Sequence, residues 1–129
     1  MDELQTHVGI SSELCGELSS LAPGRSAARL TITAPMQADS SGLAHGGFIF
    51  GLADYAAMAA VNHPNVVLGS AESRFIKPAR VGDTLEAEAA VREEAGKKRI
   101  VDVVVRRGET EMFTGRFTCF VLDNHVLAE

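Results

Sequence analysis

Asp54 is the residue of this 129-residue chain whose setting most demands a chemical explanation. It stands between Ala53 and Tyr55 in a run, Phe48 to Asn62, that is otherwise almost entirely apolar or small. Burying an ionised carboxylate without partners is expensive, and Asp is a mediocre residue for a helix interior. Such a group persists where it hydrogen-bonds a neighbouring loop or subunit, or where it performs chemistry. Just before the same run lies His45-Gly46-Gly47. Glycines let the backbone turn tightly and let a ligand approach. The first N–H groups of a helix have no internal partner and sit at its positive end. They are therefore suited to a developing oxyanion. An ordinary glycine-rich helix start is the plainer reading of the same residues.

The spacing of the two features limits how they cooperate. Asp54 follows Gly46 by eight residues, which at a rise of ~1.5 Å per residue places it about 12 Å further along a helix. One reacting carbon cannot touch both groups of one chain. Two antiparallel helices from two chains would bring Asp54 of one beside Gly46 of the other. The expectation is an obligate homodimer with two composite sites, and a fully active monomer in dilute solution would contradict it.

These residues need a scaffold, and the Gly and Pro positions outline one. Phe48 to Asn62 is too long for a typical strand and rich in Ala, Leu and Met, which favour helix. Apolar or small nearly all round, it should be buried on every side. Cys15 to Leu21 and Arg25 to Ala34 flank the turn Ala22-Pro23-Gly24 as a hairpin. Residues 35–44 are a loop. Val67 to Lys77, Thr84 to Glu93, Lys98 to Arg106 and Thr110 to Leu122 follow as strands, separated by Pro78 to Gly82, Gly96 and Gly108. The apolar density of Val101 to Val105 predicts a central strand covered on both faces. Glu3 to Glu13 reads as a short helix. One domain, residues 1–129, of α+β class accounts for this: five to six antiparallel strands curved round one long helix.

Composition narrows the functional classes. The chain is 46% hydrophobic and 22% charged with net charge -5, so a nucleic-acid partner is not expected. Local basic residues, Lys77 and Arg80 and then Lys97 and Lys98, leave a small anionic ligand open. Four His and two Cys are scattered without metal-ligand spacing, so no metal is expected. The N-terminus is acidic with no apolar stretch after it, and the longest apolar run is broken by Asp54. A cytoplasmic protein without a membrane span is the expectation. Cys119, on an apolar strand, reads as a small core residue, and His7, His63 and His125 as loop or surface residues.

The segment Gly42-Leu43-Ala44-His45-Gly46-Gly47-Phe48-Ile49-Phe50-Gly51-Leu52-Ala53-Asp54 resembles the hot-dog thioesterases of the phenylacetate-pathway and 4-hydroxybenzoyl-CoA types. Those carry a Gly-x-x-His-Gly-Gly turn and a carboxylate nine residues after the His. Phe75-Ile76-Lys77-Pro78-Ala79-Arg80-Val81-Gly82-Asp83 resembles their later strand and turn, so the likeness spans the chain from about Glu13 onward. The resemblance implies a hot-dog fold, dimers that often pair into tetramers, and hydrolysis of an acyl- or aryl-CoA to free acid and CoA. It implies no cofactor beyond the coenzyme A of the substrate. By position, Asp54 would be nucleophile or general base, Gly46 would offer its N–H to the thioester oxygen, and His45 would orient the turn or substrate. Gly47, Asp39, Ser70 and Glu72 are candidate substrate contacts, and Lys77, Arg80, Lys97 and Lys98 candidate phosphate contacts. Several relatives have Asn where this chain has Asp39; an ionised Asp cannot donate a hydrogen bond. Either Asp39 points elsewhere or the chemistry differs in detail. Ser70, Glu72 and Arg74 share one strand face; Glu72 is either a second acid or the partner of Arg74, and the ion pair is the expectation.

Two rival readings remain. A hot-dog dehydratase or hydratase generally uses a different His and acid arrangement. A non-catalytic acyl-CoA sensor would not need both Asp54 and the glycine turn, and no DNA-binding helix pair precedes the motif.

Overall fold

A computed structural model describes residues 1–128. Six strands form one antiparallel sheet: β1 (Glu17–Ala22), β2 (Arg25–Thr31), β3 (Val66–Phe75), β4 (Thr84–Ala95), β5 (Lys98–Arg107) and β6 (Thr110–Val121), in the order β1-β2-β4-β5-β6-β3. The long helix α2 (Gly46–Val61) packs against every strand, so the sheet curves round it as the α+β reading requires. Nine of its residues, from Ile49 to Ala60, are buried. Small side chains allow this close approach: Ala53, Ala56, Ala57, Ala59 and Ala60 form much of the helix surface under the sheet. Ser26 of β2 donates a 2.6 Å hydrogen bond to the Ala56 carbonyl, tying sheet to helix.

The strands alternate as half-buried strands do. On the helix-facing side lie Leu85, Ala87 and Ala89 of β4, Val101, Val103 and Val105 of β5, and Phe113 and Phe117 of β6, all buried. Between the last two, Gly115 is required by packing: a Cβ there would come within 2.7 Å of the Phe117 ring and 3.0 Å of the Phe113 ring. Gly115→Ala is expected to destabilise the fold by about 1–3 kcal/mol through this overpacking, read as a lower denaturation midpoint with an unchanged m-value. β5 is central, as its composition predicts, but it is covered on one face only. Asp102 and Val104 are half-buried on the outer face, where Asp102 holds Arg116 at 3.0 Å and Arg92 at 3.7 Å.

The N-terminal segment departs from the sequence-based expectation. Only one helical turn forms, α1 (Ser12–Cys15), in place of a helix over Glu3 to Glu13. Residues 2–10 instead lie along the sheet edge and the end of α2. The Asp2 N–H donates to the Leu21 carbonyl at 3.0 Å, and Asn62 brackets the segment by accepting from the Gln5 N–H at 2.7 Å and donating to the Glu3 carbonyl at 2.9 Å. Tertiary partners thus claim the groups that a helix would have used. His7 lies in a loop, one of the two placements expected of it, half-buried with a positive φ of 54° and its ring centroid 6.4 Å from that of Tyr55. Gly16, at φ 101°, ends α1, and a Cβ there would strike the Arg29 carbonyl at 2.8 Å. The chain then enters β1. No helix among the described residues is long and apolar enough to cross a membrane.

Candidate active site

His45 occupies the N-cap of α2 with extended dihedrals, φ -68° and ψ 130°, and makes no side-chain cap bond. Gly46 and Gly47 are thus the first two helical residues, and neither backbone N–H has a partner among the described residues. The turn is pinned from behind: the His45 N–H donates to the Met36 carbonyl at 2.8 Å and the Ala44 N–H to the Ala79 carbonyl at 2.9 Å. Two short bridges, Gln37 with Ala44 and Leu43 with Arg80, hold the same loop. His45 is exposed and folds back over the helix start, its ring 3.0 Å from where a Cβ on Gly47 would stand. A Cβ on Gly46 would lie 3.2 Å from the Phe75 ring, which roofs this turn from the end of β3. Phe75 is 55% exposed and packs edge-on against Phe113, centroids 5.0 Å apart. The sequence motif contained Phe75, but nothing in its spacing signalled this contact.

Asp54 is half-buried two turns further along α2. Its Oδ1 is sealed from solvent and has no hydrogen-bond partner among the described residues. Burial raises the carboxyl to about 6. An orphaned carboxylate oxygen in a helix packed with alanine is what a group awaiting a ligand or partner chain looks like. The thiols near it are poor nucleophiles at neutral pH. Burial, and then the Asp54 charge, push Cys119 up to about 12, and the same causes raise Cys15.

The other candidates are distributed unevenly. Asp39 turns to its own loop: its Oδ1 accepts from the Ser41 hydroxyl and from the Ser41 N–H at 2.8 Å. Those bonds, the hydroxyl's first, hold its carboxyl below the usual range. The raised Asp54 value comes from burial, not from a second carboxylate. Ser70 and Glu72 sit on the outer face of the sheet. Glu72 is in register with Arg116, itself on the outer face with Asp102, whereas Ala71 opposes the buried Phe117. The structure therefore does not bring Ser70 and Glu72 together with Asp54 inside one chain. The expected Glu72–Arg74 ion pair is absent among the described residues. Side chains two apart on a strand point the same way but stand some 7 Å apart.

Lys77 and Arg80 flank the Pro78 turn at the Gly46 end of α2, exposed and without ion pairs among the described residues. Lys97 and Lys98 lie at the other end; Lys97 lines a groove shared with His63 and Asn65 and is held by Asp123 at 3.0 Å. The sixteen residues of α2, about 24 Å of helix, separate the two clusters. No group of three or more His, Cys, Asp or Glu side chains with metal-ligand geometry occurs among the described residues. Grooves of about 790 Å³ beside α1 and about 630 Å³ on the outer face contain neither Gly46 nor Asp54.

Known proteins share this architecture. The thioesterase superfamily model matches residues 41–113, which run from the loop before His45 through α2 to Phe113. The chain is 48% identical over 122 residues to the methylthioribose-1-phosphate isomerase of Aquifex aeolicus, covering 94% of this chain and 27% of that protein. It is 29% identical over 119 residues to the transcription factor FapR of Caldanaerobacter subterraneus, covering 92% of this chain and 60% of that protein. The chain thus spans about a quarter of the first of these relatives and three-fifths of the second. Among solved structures, an uncharacterized protein from Pyrococcus horikoshii superposes with a TM-score of 0.97 at 50% identity, over 98% of both chains. The Escherichia coli PaaI protein of the phenylacetic acid degradation operon does so with 0.74 at 27% identity, over 81% of both. With the family model matched across more than half of its length and the helix-in-sheet fold in place, the chain belongs to the thioesterase superfamily of hot-dog proteins.

Proposed function

We propose that this protein hydrolyses an acyl- or aryl-CoA thioester, releasing the free acid and CoA, at two composite sites of a homodimer. The observation that carries this reading is the unpartnered, solvent-sealed Oδ1 of Asp54 on a helix whose first N–H groups are also free. A thioester carbonyl is activated enough for a carboxylate to attack it, or for the carboxylate to take a proton from an attacking water. In either route the carbonyl becomes a tetrahedral oxyanion, which the Gly46 N–H of the partner subunit receives. The C–S bond then breaks and CoA leaves as thiolate, to be protonated. On the carboxylate-attack route, water subsequently cleaves the acyl–Asp54 anhydride. A carboxyl near 6 is ionised at neutral pH yet still basic enough for this work. His45 and Gly47 shape the mouth of the site, and Lys77 and Arg80, at the same end of the helix, suit a CoA phosphate.

The dimer reading rests on β3 as well as on the spacing within α2. β3 is a sheet edge, and from Gly69 through Phe75 it is exposed. A long open edge invites pairing with another chain, and a second copy would bring the missing half of each site. The test is thiol release from a panel of acyl-CoAs over a dilution series. The expected result is turnover whose specific activity falls as the dimer dissociates. Full activity in a monomer would overturn the composite site.

The similarity to FapR favours a second reading, in which the domain binds an acyl-CoA without turning it over. Saturable CoA-ester binding with no thiol release across the panel would establish that reading and displace the hydrolase.

A further inference from the structure

Resting on the hydrolase reading above, we infer that Asn62 is a positioning residue that acts through the N-terminal segment. Its side chain fastens residues 2–16 along α2 as a strap, and the strap keeps bulk water from the Asp54 carboxyl.

Asn62 ends α2 in the left-handed conformation, at φ 51° and ψ 54°. Glycine is the usual residue at such a helix end, having no Cβ to strain. The Asn62 amide supplies what glycine cannot. It accepts from the Gln5 N–H at 2.7 Å and donates to the Glu3 carbonyl at 2.9 Å. Among the described residues, only the bond from the Asp2 N–H to the Leu21 carbonyl also joins residues 2–10 to the rest of the chain. Side chains complete the contact. Leu4 and Ile10 pack against the core, Thr6 is buried, and the His7 ring faces Tyr55. Where the strap ends, a Cβ on Gly16 would come within 2.8 Å of the Leu52 Cδ1 methyl.

Leu52, Tyr55 and Asn62 fall within about 80° of one another around the helix, so the strap follows one stripe of α2 for about 15 Å. Asp54 stands beside that stripe, about 100° round from Tyr55. Two thiols bracket it, because its charge raises both Cys15 at the end of α1 and Cys119 of β6. Cys119 belongs to a fixed wall, a strand paired on both sides. Cys15 belongs to the strap, and the wall on that side depends on the bonds to Asn62. The remaining titratable groups of the strap side are His7, Tyr55 and, beside Tyr55, Glu17. None of these groups gives Oδ1 a hydrogen bond. Burial alone raises the Asp54 carboxyl, so exclusion of water is the property the strap controls.

The experiment uses Asn62→Gly in the full chain, which keeps the left-handed helix end and deletes both bonds to the strap. A chain lacking residues 2–5 deletes them from the other side and serves should Asn62→Gly not fold. Amide exchange at Thr6 and His7 should become at least ~10-fold faster. The Asp54 carboxyl, followed by carbon NMR without substrate, should titrate at about 5 or lower instead of about 6. The acid limb of kcat/KM should move down with it, a change that mere loss of stability would not produce. An unmoved carboxyl midpoint in a folded variant with a freely exchanging strap overturns the inference, as do strap amides that stay protected in Asn62→Gly. A midpoint that moves in a protein without thioester turnover supports the strap and removes the hydrolase reading instead.

Discussion

Asp54→Asn is expected to slow thioester hydrolysis by about 10²–10⁴-fold, the range of a positioned acid–base group, while making the folded protein more stable. Both effects have one origin. The helix holds a carboxyl where solvent cannot reach Oδ1 and supplies no donor for it. Desolvation raises the group from 3.8 to about 6. The fold thus accepts the neutral acid more readily than the carboxylate. The stability contributed by this group is fully present below about pH 4, the unfolded-chain value. It is lost as the pH rises through about 6. A shift of two units corresponds to ~3 kcal/mol for a fully sealed group; with the carboxyl half-buried, about 1–2 kcal/mol is expected. Asn is neutral at every pH, so Asp54→Asn should gain that amount over wild type at pH 8 and gain little at pH 4. The rate has the opposite dependence, because the ionised carboxylate is the reactive form. For wild type, kcat/KM should rise between pH 5 and 7 with a limb near 6, and the limb should vanish in the residual activity of the variant. Denaturant titrations at two pH values and a pH–rate profile together measure this. Unchanged turnover in Asp54→Asn would remove the carboxylate from the reaction.

The same residue shows how far the sequence reaches. A lone Asp in an Ala-rich apolar run is visible without coordinates, because burial is implied by its neighbours on every side. So is α2, from its length and composition, and so are the strands, from the Gly and Pro positions between them. What escapes is information held by partners distant in the chain. Period two puts Ser70, Glu72 and Arg74 on one face of β3, but only the register with Arg116 and Thr114 tells which face. The bond between Ser26 and the Ala56 carbonyl leaves no local trace. Glu3 to Glu13 look helical one by one, yet one helical turn forms, at Ser12–Cys15, because Leu21 and Asn62 hold Asp2, Glu3 and Gln5 in other bonds. Asp39 carries an ambiguity from sequence that its bonds to Ser41 resolve in favour of a local turn. Lys97 and Lys98 resemble Lys77 and Arg80 as charges, yet lie at the opposite end of the helix.

Gly46→Pro is expected to lower kcat by about 10²–10³-fold with the fold intact, the effect of removing one oxyanion donor. Proline ordinarily damages a helix by removing an N–H and clashing with the preceding turn. Gly46 is the exception, because it is the first residue of α2 and its N–H has no partner to lose. Proline is favoured at that position. The residue before it must be extended, and His45 already is, at φ -68° and ψ 130°. The remaining strain is steric: a Cβ would stand 3.2 Å from the Phe75 ring. That ring is exposed and can yield, and Gly46→Ala places the same Cβ there while keeping the N–H. The ratio of the two variants therefore isolates the hydrogen bond. If the N–H acts on the oxyanion, Gly46→Ala should retain most of kcat and Gly46→Pro should lose it, with KM changed far less than kcat in both. Circular dichroism and the denaturation midpoint check that both variants fold. Equal activity of the two would show that the free Gly46 N–H does not stabilise the transition state.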